Sequence, residues 1–116
     1  MSNHLNEYYA NVIDSVGDGV IVLDRQGTVT LINPAAEEIT GISRRQAQGH
    51  SFNDIFTGED FLREMVGKTA ATGMIISDYE NIALARGGHI TPVSATTSPL
   101  LQDNGEQIGT ILVLRS

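Results

Sequence analysis

The first candidates for acid–base or metal chemistry in this chain are three histidines and 14 carboxylates, since there is no cysteine. His4, His50 and His89 stand alone in the sequence. None has the H-x-x-x-H spacing that puts two imidazoles on one helix face, and no thiol can complete a metal set. His50 precedes a helical stretch and His89 adjoins a turn, where a polar ring caps or meets water. The paired carboxylates Glu37-Glu38 and Glu59-Asp60 fall at helix starts, where the helix dipole stabilises negative charge without any proton transfer. Gly17-Asp18-Gly19 has the make-up of a phosphate loop, but it precedes a strand instead of joining a strand to a helix. No P-loop lysine motif and no G-x-S-x-G nucleophile elbow occurs. The chain therefore reads as non-enzymatic.

Composition narrows the partners. The lack of cysteine also excludes disulfides and thiolate ligands. With 7 basic residues against 14 acidic ones, the net charge of −7 repels phosphate backbones and argues against nucleic acid. No apolar run approaches the ~20 residues that span a bilayer, so no membrane contact is expected. Met1 to Asn11 is polar and acidic, unlike a secretory leader, and a cytoplasmic location is compatible with this. At 116 residues and 41% hydrophobic content, one folded domain with a modest core is expected.

The elements that would position these groups follow from periodicity. Leu5, Tyr8, Tyr9, Val12, Ile13 and Val16 recur at spacings of three and four, one face of an amphipathic helix over residues 1–17, with Gly17 as a left-handed stop. That face either covers its own domain or pairs with a second copy. The main domain, residues 18–116, opens with "DGVIVLD", the turn "RQG" and "TVTLIN", an antiparallel hairpin. At its end Asn33 can cap a helix, Pro34 fits the first helical position, and Gly41 closes it. "SRRQAQG" and "SFNDIF" are short helical pieces, the second with an approximate Ser51–Asp54 capping box. A longer helix is expected over about Glu59 to Thr72, capped by Thr57, with Phe61, Leu62, Met65, Val66 and Thr69 along one side and Gly73 at its end. Three strands follow: "MIISDYENIALA", "ITPVSATTSPLL" after the turn "RGGH", and "IGTILVLR" after "QDNGEQ". The sum is an α+β domain, five antiparallel strands with helices on one face.

This ordered set resembles the PAS domain family, the sensory boxes of signalling proteins. It is carried by "DGVIVLD" with "QGTVTLIN", "NPAAEEITG", Gly49 before "SFNDIF", the Gly87-Gly88 hairpin, "TPVSATTSPL" and "DNGEQIGTILVLR", spanning residues 8 to 115. The sequence looks closest to PAS domains of bacterial two-component sensor histidine kinases. The resemblance implies a sheet ordered 2-1-5-4-3, cupped around a small cavity. Residues it would line the cavity with are Ile21, Leu23, Ile32, Ala36, Ile39, Phe56, Leu62, Met65, Val66 and Ile76, together with Thr96. Ser94, Thr96 and Ser98 alternate along one face of the fourth strand, which supplies hydrogen bonds if it points inward and otherwise faces solvent.

PAS cofactors are tested residue by residue. Light-sensing flavin members use a cysteine in the short-helix region, absent here. Haem members generally supply a histidine from the longer helix, and "EDFLREMVGKTAATG" has none. Non-covalent flavin often stacks on tryptophan, which the chain lacks. No cofactor is expected, and the space holds either a packed core or a small apolar metabolite. The function implied is a sensory, signal-transducing module acting on an output domain of the same parent chain, a histidine kinase, through ligand binding or homodimerisation via Leu5, Tyr8, Tyr9, Val12, Ile13 and Val16. The alternative is a constitutive interaction scaffold without a ligand. The family's hairpin often reads Asp-Gly where this chain has Gly87-Gly88. Its Asp-Ile-Thr-like terminal motif does not appear before Arg115-Ser116, which leaves the output domain unnamed.

Overall fold

The computed structural model describes residues 16–86 and 89–115; residues 1–15 of the expected leading helix and the Gly87-Gly88 turn lie outside them. The order of elements is β1 (Gly19–Asp24), β2 (Val29–Ile32), α1 (Pro34–Thr40), α2 (Arg44–Ala47), α3 (Phe52–Ile55), α4 (Asp60–Thr72), β3 (Ile76–Arg86), β4 (His89–Leu101) and β5 (Gln107–Arg115). The strands form one antiparallel sheet in the order β2-β1-β5-β4-β3.

Directly paired residues in an antiparallel sheet share a face, so the register sorts the side chains. One row, Ile32–Ile21–Leu112–Thr97–Ile76, crosses all five strands. Its first four members have 0% exposure and Ile76 is half-buried, so this row marks the inner face. The next row, Val20–Val113–Thr96–Ser77, faces the other way. Leu23, Leu114, Ala95, Val93 and Leu84 complete the inner side of the core. At about 25 cal/mol per Å2 of apolar area, each fully buried aliphatic side chain contributes roughly 1.5–3 kcal/mol before entropy is charged against it.

The helical roof is built by local capping where the sequence offers it. Ser43 and Gln46 form a reciprocal capping box on α2, and the Glu37 carboxylate accepts from Arg44 N at 2.7 Å, so Glu37 serves the next helix as well as the dipole of its own. Two expected caps are not made. Ser51 makes no side-chain cap on α3, and α4 begins at Asp60 after Glu59 with no side-chain cap, so Thr57 plays no such part. The reason at Ser51 is tertiary. Residues 49–52 lie alongside the β1–β2 hairpin, with Val29 N donating to His50 O and Phe52 N to Gly27 O, both at 2.9 Å, and a bridge between Thr28 and Ser51. Gly17 is not among the glycines with positive φ, so it does not supply the expected left-handed stop, whereas Gly41 and Gly73 do, at φ 73° and 74°.

Candidate functional site

Helix α4 lies across the inner face of the sheet. Leu62, Met65, Val66 and Thr69, at helical spacing, are buried against the sheet. Phe61, expected beside them, is 48% exposed. It sits 100° round the helix from Leu62, which carries it off the buried stripe. At the centre two hydroxyls meet: Thr69 Oγ1 and Thr97 Oγ1 are 2.7 Å apart. Thr69 also bonds Met74 O at 2.8 Å, and Thr97 lies 3.4 Å from Met65 O. A buried hydroxyl costs free energy unless it is partnered, so this pair pins α4 to the middle of the sheet in one register.

Thr97 was not singled out from the sequence; Thr96 was. The register corrects this. Thr96 pairs with Val113 on the outer face, bonds Ser77 Oγ at 3.2 Å, and lines an outer hollow with Ser94 and Arg115. The alternation of β4 therefore points Val93, Ala95 and Thr97 inward, not Ser94 and Thr96.

The other ten residues expected around a cavity all contribute to or pack against the core, with Ile39 and Ile76 at its edge. Ile21, Ile32, Ala36, Phe56 and Leu62 are fully enclosed by one another and their neighbours. Leu23 and Val66 reach a hollow of about 200 Å3 between the β1–β2 turn, α3 and α4. Met65 and Ile76 line a second, of about 150 Å3, on the far side of α4. Phe52, unremarked in the sequence, stacks on Phe56 with ring centroids 4.4 Å apart, closing the roof beside α3. Of the residues expected at a dimer interface, Val16 is 39% exposed. Leu5, Tyr8, Tyr9, Val12 and Ile13 lie outside the described residues.

A second polar centre ties the roof to the start of β1 and the end of β5. Asn33 is fully buried. Its Oδ1 accepts from Ala36 N at 2.9 Å, capping α1, and from Val20 N at 2.8 Å, while its Nδ2 donates to Asp18 O at 2.8 Å. Asp18 in turn accepts from Arg115 Nε at 3.0 Å. The strand-to-helix corner is thus bonded to the segment entering β1, which is bonded to the last residue of β5. Among the described residues no three His, Cys, Asp or Glu side chains gather as a metal site, and no helix is long and apolar enough to cross a membrane.

This antiparallel sheet with its Asn-Pro corner and crossing helix matches known proteins. The family described as the PAS fold covers residues 13–116. The chain belongs to the PAS family. It is 34% identical over 102 residues to the signal transduction histidine-protein kinase AtoS of Escherichia coli K12, covering 88% of this chain and 16% of that protein. It is 26% identical over 107 residues to the probable diguanylate cyclase DgcE of the same organism, covering 89% of this chain and 10% of that protein. This PAS domain therefore spans only a small part of the curated relatives it matches. Among solved structures, the PAS domain of Bordetella pertussis BvgS aligns with a TM-score of 0.74 at 22% identity, over 97% of this chain and 85% of that one. The domain is related to PAS domains of bacterial two-component sensor kinases, and its general role is sensory signal transduction.

Proposed function

We propose that this PAS domain regulates a histidine-kinase output domain of the same parent chain, in the cytoplasm, by shifting between two packings of α4 on the sheet. A small ligand and the pairing of two copies through Leu5, Tyr8, Tyr9, Val12, Ile13 and Val16 bias the shift. The observation that carries this reading is the Thr69–Thr97 pair, a buried hydroxyl–hydroxyl contact between helix and sheet. It offers two discrete states, made or broken, which a ligand with different affinity for each can select. The kinase output is supported by the 34% identity to AtoS, the cyclase of the second relative being the other candidate.

Native mass spectrometry of the purified domain tests the ligand: a small mass retained under gentle conditions and lost on denaturation is expected, and a bare protein mass with no thermal shift from any metabolite counts against it. Sedimentation tests the pairing. A dimer that dissociates when Tyr9 and Ile13 are made polar is expected; a monomer at high concentration, indifferent to those changes, refutes it.

A second reading is a constitutive interaction scaffold without a ligand. It is favoured by the enclosure of Ile21, Ile32, Ala36, Phe56 and Leu62, all with 0% exposure, inside one continuous cluster. The same mass measurement separates the two.

A further inference from the structure

The hollow between the β1–β2 turn, α3 and α4 differs in make-up from the core beneath it. It is an open hollow of about 200 Å3, lined by the apolar Leu23, Phe52 and Val66 and by the charged Arg25, Arg63 and Asp24 among others. Two of the chain's 7 cationic residues thus border one small space in a chain of net charge −7. Arg63 pairs through one terminal nitrogen with Asp60, whose side chain is 85% exposed, while Arg63 Nε is buried with no hydrogen-bond partner. Arg25 pairs with Glu106 at 2.6 Å and donates from Nε to Gln107 O at 3.3 Å. The Asp24 carboxylate is turned to its own turn, Oδ1 accepting from Gln26 N and Thr28 N at 2.9 Å each.

Gly67 supplies an independent sign. It lies in the interior of α4, where glycine is disfavoured against alanine, yet a Cβ built on it meets nothing within 4 Å. No neighbour requires glycine there. What the missing side chain does is leave open the hollow that Gly67 lines.

We infer that this hollow binds a small organic monocarboxylate. Its carboxylate sits on the Arg63 guanidinium, which suits two-point recognition of a carboxylate, and its short apolar body lies on Leu23, Phe52 and Val66 over Gly67. Exchange with Asp60 is inexpensive on the carboxylate side, because its side chain is 85% exposed and returns to water when released. The nearby Asp24, Asp60 and Glu106 oppose a second negative charge, so a monoanion is selected over a dianion. At roughly 30 Å3 per water-sized group, the space takes about six or seven non-hydrogen atoms. This deepens the ligand-sensing reading above and rests on it, naming the site and the chemical class.

The test is an amide NMR titration of the 15N-labelled domain with butyrate, with butyramide and inorganic phosphate as controls. Saturable shifts at the Asn53, Gly67 and Thr110 amides are expected with butyrate and not with either control. Arg63→Gln and, separately, Gly67→Leu should weaken butyrate binding at least about tenfold while keeping a dispersed spectrum, since a bond to a charged group is at stake in the first. No response to butyrate, an equal response to butyramide, or butyrate binding unchanged in both variants overturns the proposal. Butyrate shifts confined to Ile21, Ile32 and Leu112 overturn this site yet leave ligand sensing standing, and the retained mass in native spectrometry decides that reading independently.

Discussion

Replacing Asn33 with alanine should remove far more stability than a helix cap is worth. A cap alone contributes about 1 kcal/mol. Asn33, however, is fully buried, and its side chain holds the amides of Ala36 and Val20 and the carbonyl of Asp18 at 2.8–2.9 Å. The truncation strands two donors and one acceptor, and each stranded buried group costs roughly 1–3 kcal/mol. Water reaching the corner from the half-buried Asp18 side offsets part of this, so we expect a loss of about 3–4 kcal/mol. Asn33→Ser keeps a short acceptor for the Ala36 amide alone and should recover about 1 kcal/mol of it. The assay is equilibrium urea unfolding of wild type and both variants by far-UV circular dichroism, with the slope checked so that the midpoints are comparable. An Asn33→Ala loss of about 1 kcal/mol or less, matching the cap alone, would refute the claim that this residue joins α1 to the entry of β1.

Three further outcomes are expected. In a cycle of Thr69→Val, Thr97→Val and the double variant, each single change should cost about 1–2 kcal/mol and the double less than their sum by about 1 kcal/mol; urea unfolding measures it, and strict additivity would deny the coupling. Gly109→Ala should leave little folded protein by circular dichroism, since its Cβ would lie 2.0 Å from Leu23 O in the neighbouring strand, a backbone atom that cannot yield without parting β1 from β5. Gly67→Ala should instead raise the thermal midpoint, gaining roughly 0.5–1 kcal/mol of helix propensity with no steric cost; a loss would mean that Gly67 has a structural duty.

How much of this was legible in the chain depended on whether the deciding physics was local. The Asn33-Pro34 corner, the Gly41 and Gly73 stops and the hairpin after Asp24 were readable, because capping and turn chemistry act over a few residues. Ser51 and Thr57 look equally good as caps but are not used, at Ser51 because residues 49–52 are engaged by the hairpin, a contact with no signature in the local pattern. Thr96 failed for a different reason. A period of two tells which residues of a strand share a face, but not which face is inner. In "VSATTS" both faces carry small or hydroxylic residues, so only the pairing of Thr97 with Leu112 sets the phase. Two hydroxyl-bearing neighbours thus exchanged roles between core pin and outer surface. The Arg63 hollow could not be foreseen either, since it is assembled from a turn, a short helix and the middle of α4.

The bonding pattern also explains how a domain this well packed can still transmit. A core row whose first four members have no exposure does not deform gradually; it either keeps its register or changes it as a unit. Along that row Thr97 is the member bonded to α4, and Leu112, its partner on β5, lies three residues before Arg115. Arg115 reaches Asp18 through a pair whose side chains are 66% and 36% exposed, a contact worth at most about 1 kcal/mol. Asp18 in turn is held by Asn33 at the corner where α1 begins. The buried contacts and the β1–β5 ladder, which pairs Gly19 with Leu114, fix the sheet and its roof, while the Arg115–Asp18 pair just beyond that ladder is weak and exposed. A shift of α4 worth one buried hydrogen bond exceeds that ion pair, so the Asp18 and Arg115 side chains, just beyond the β1–β5 ladder, are where a change in the roof would first be felt.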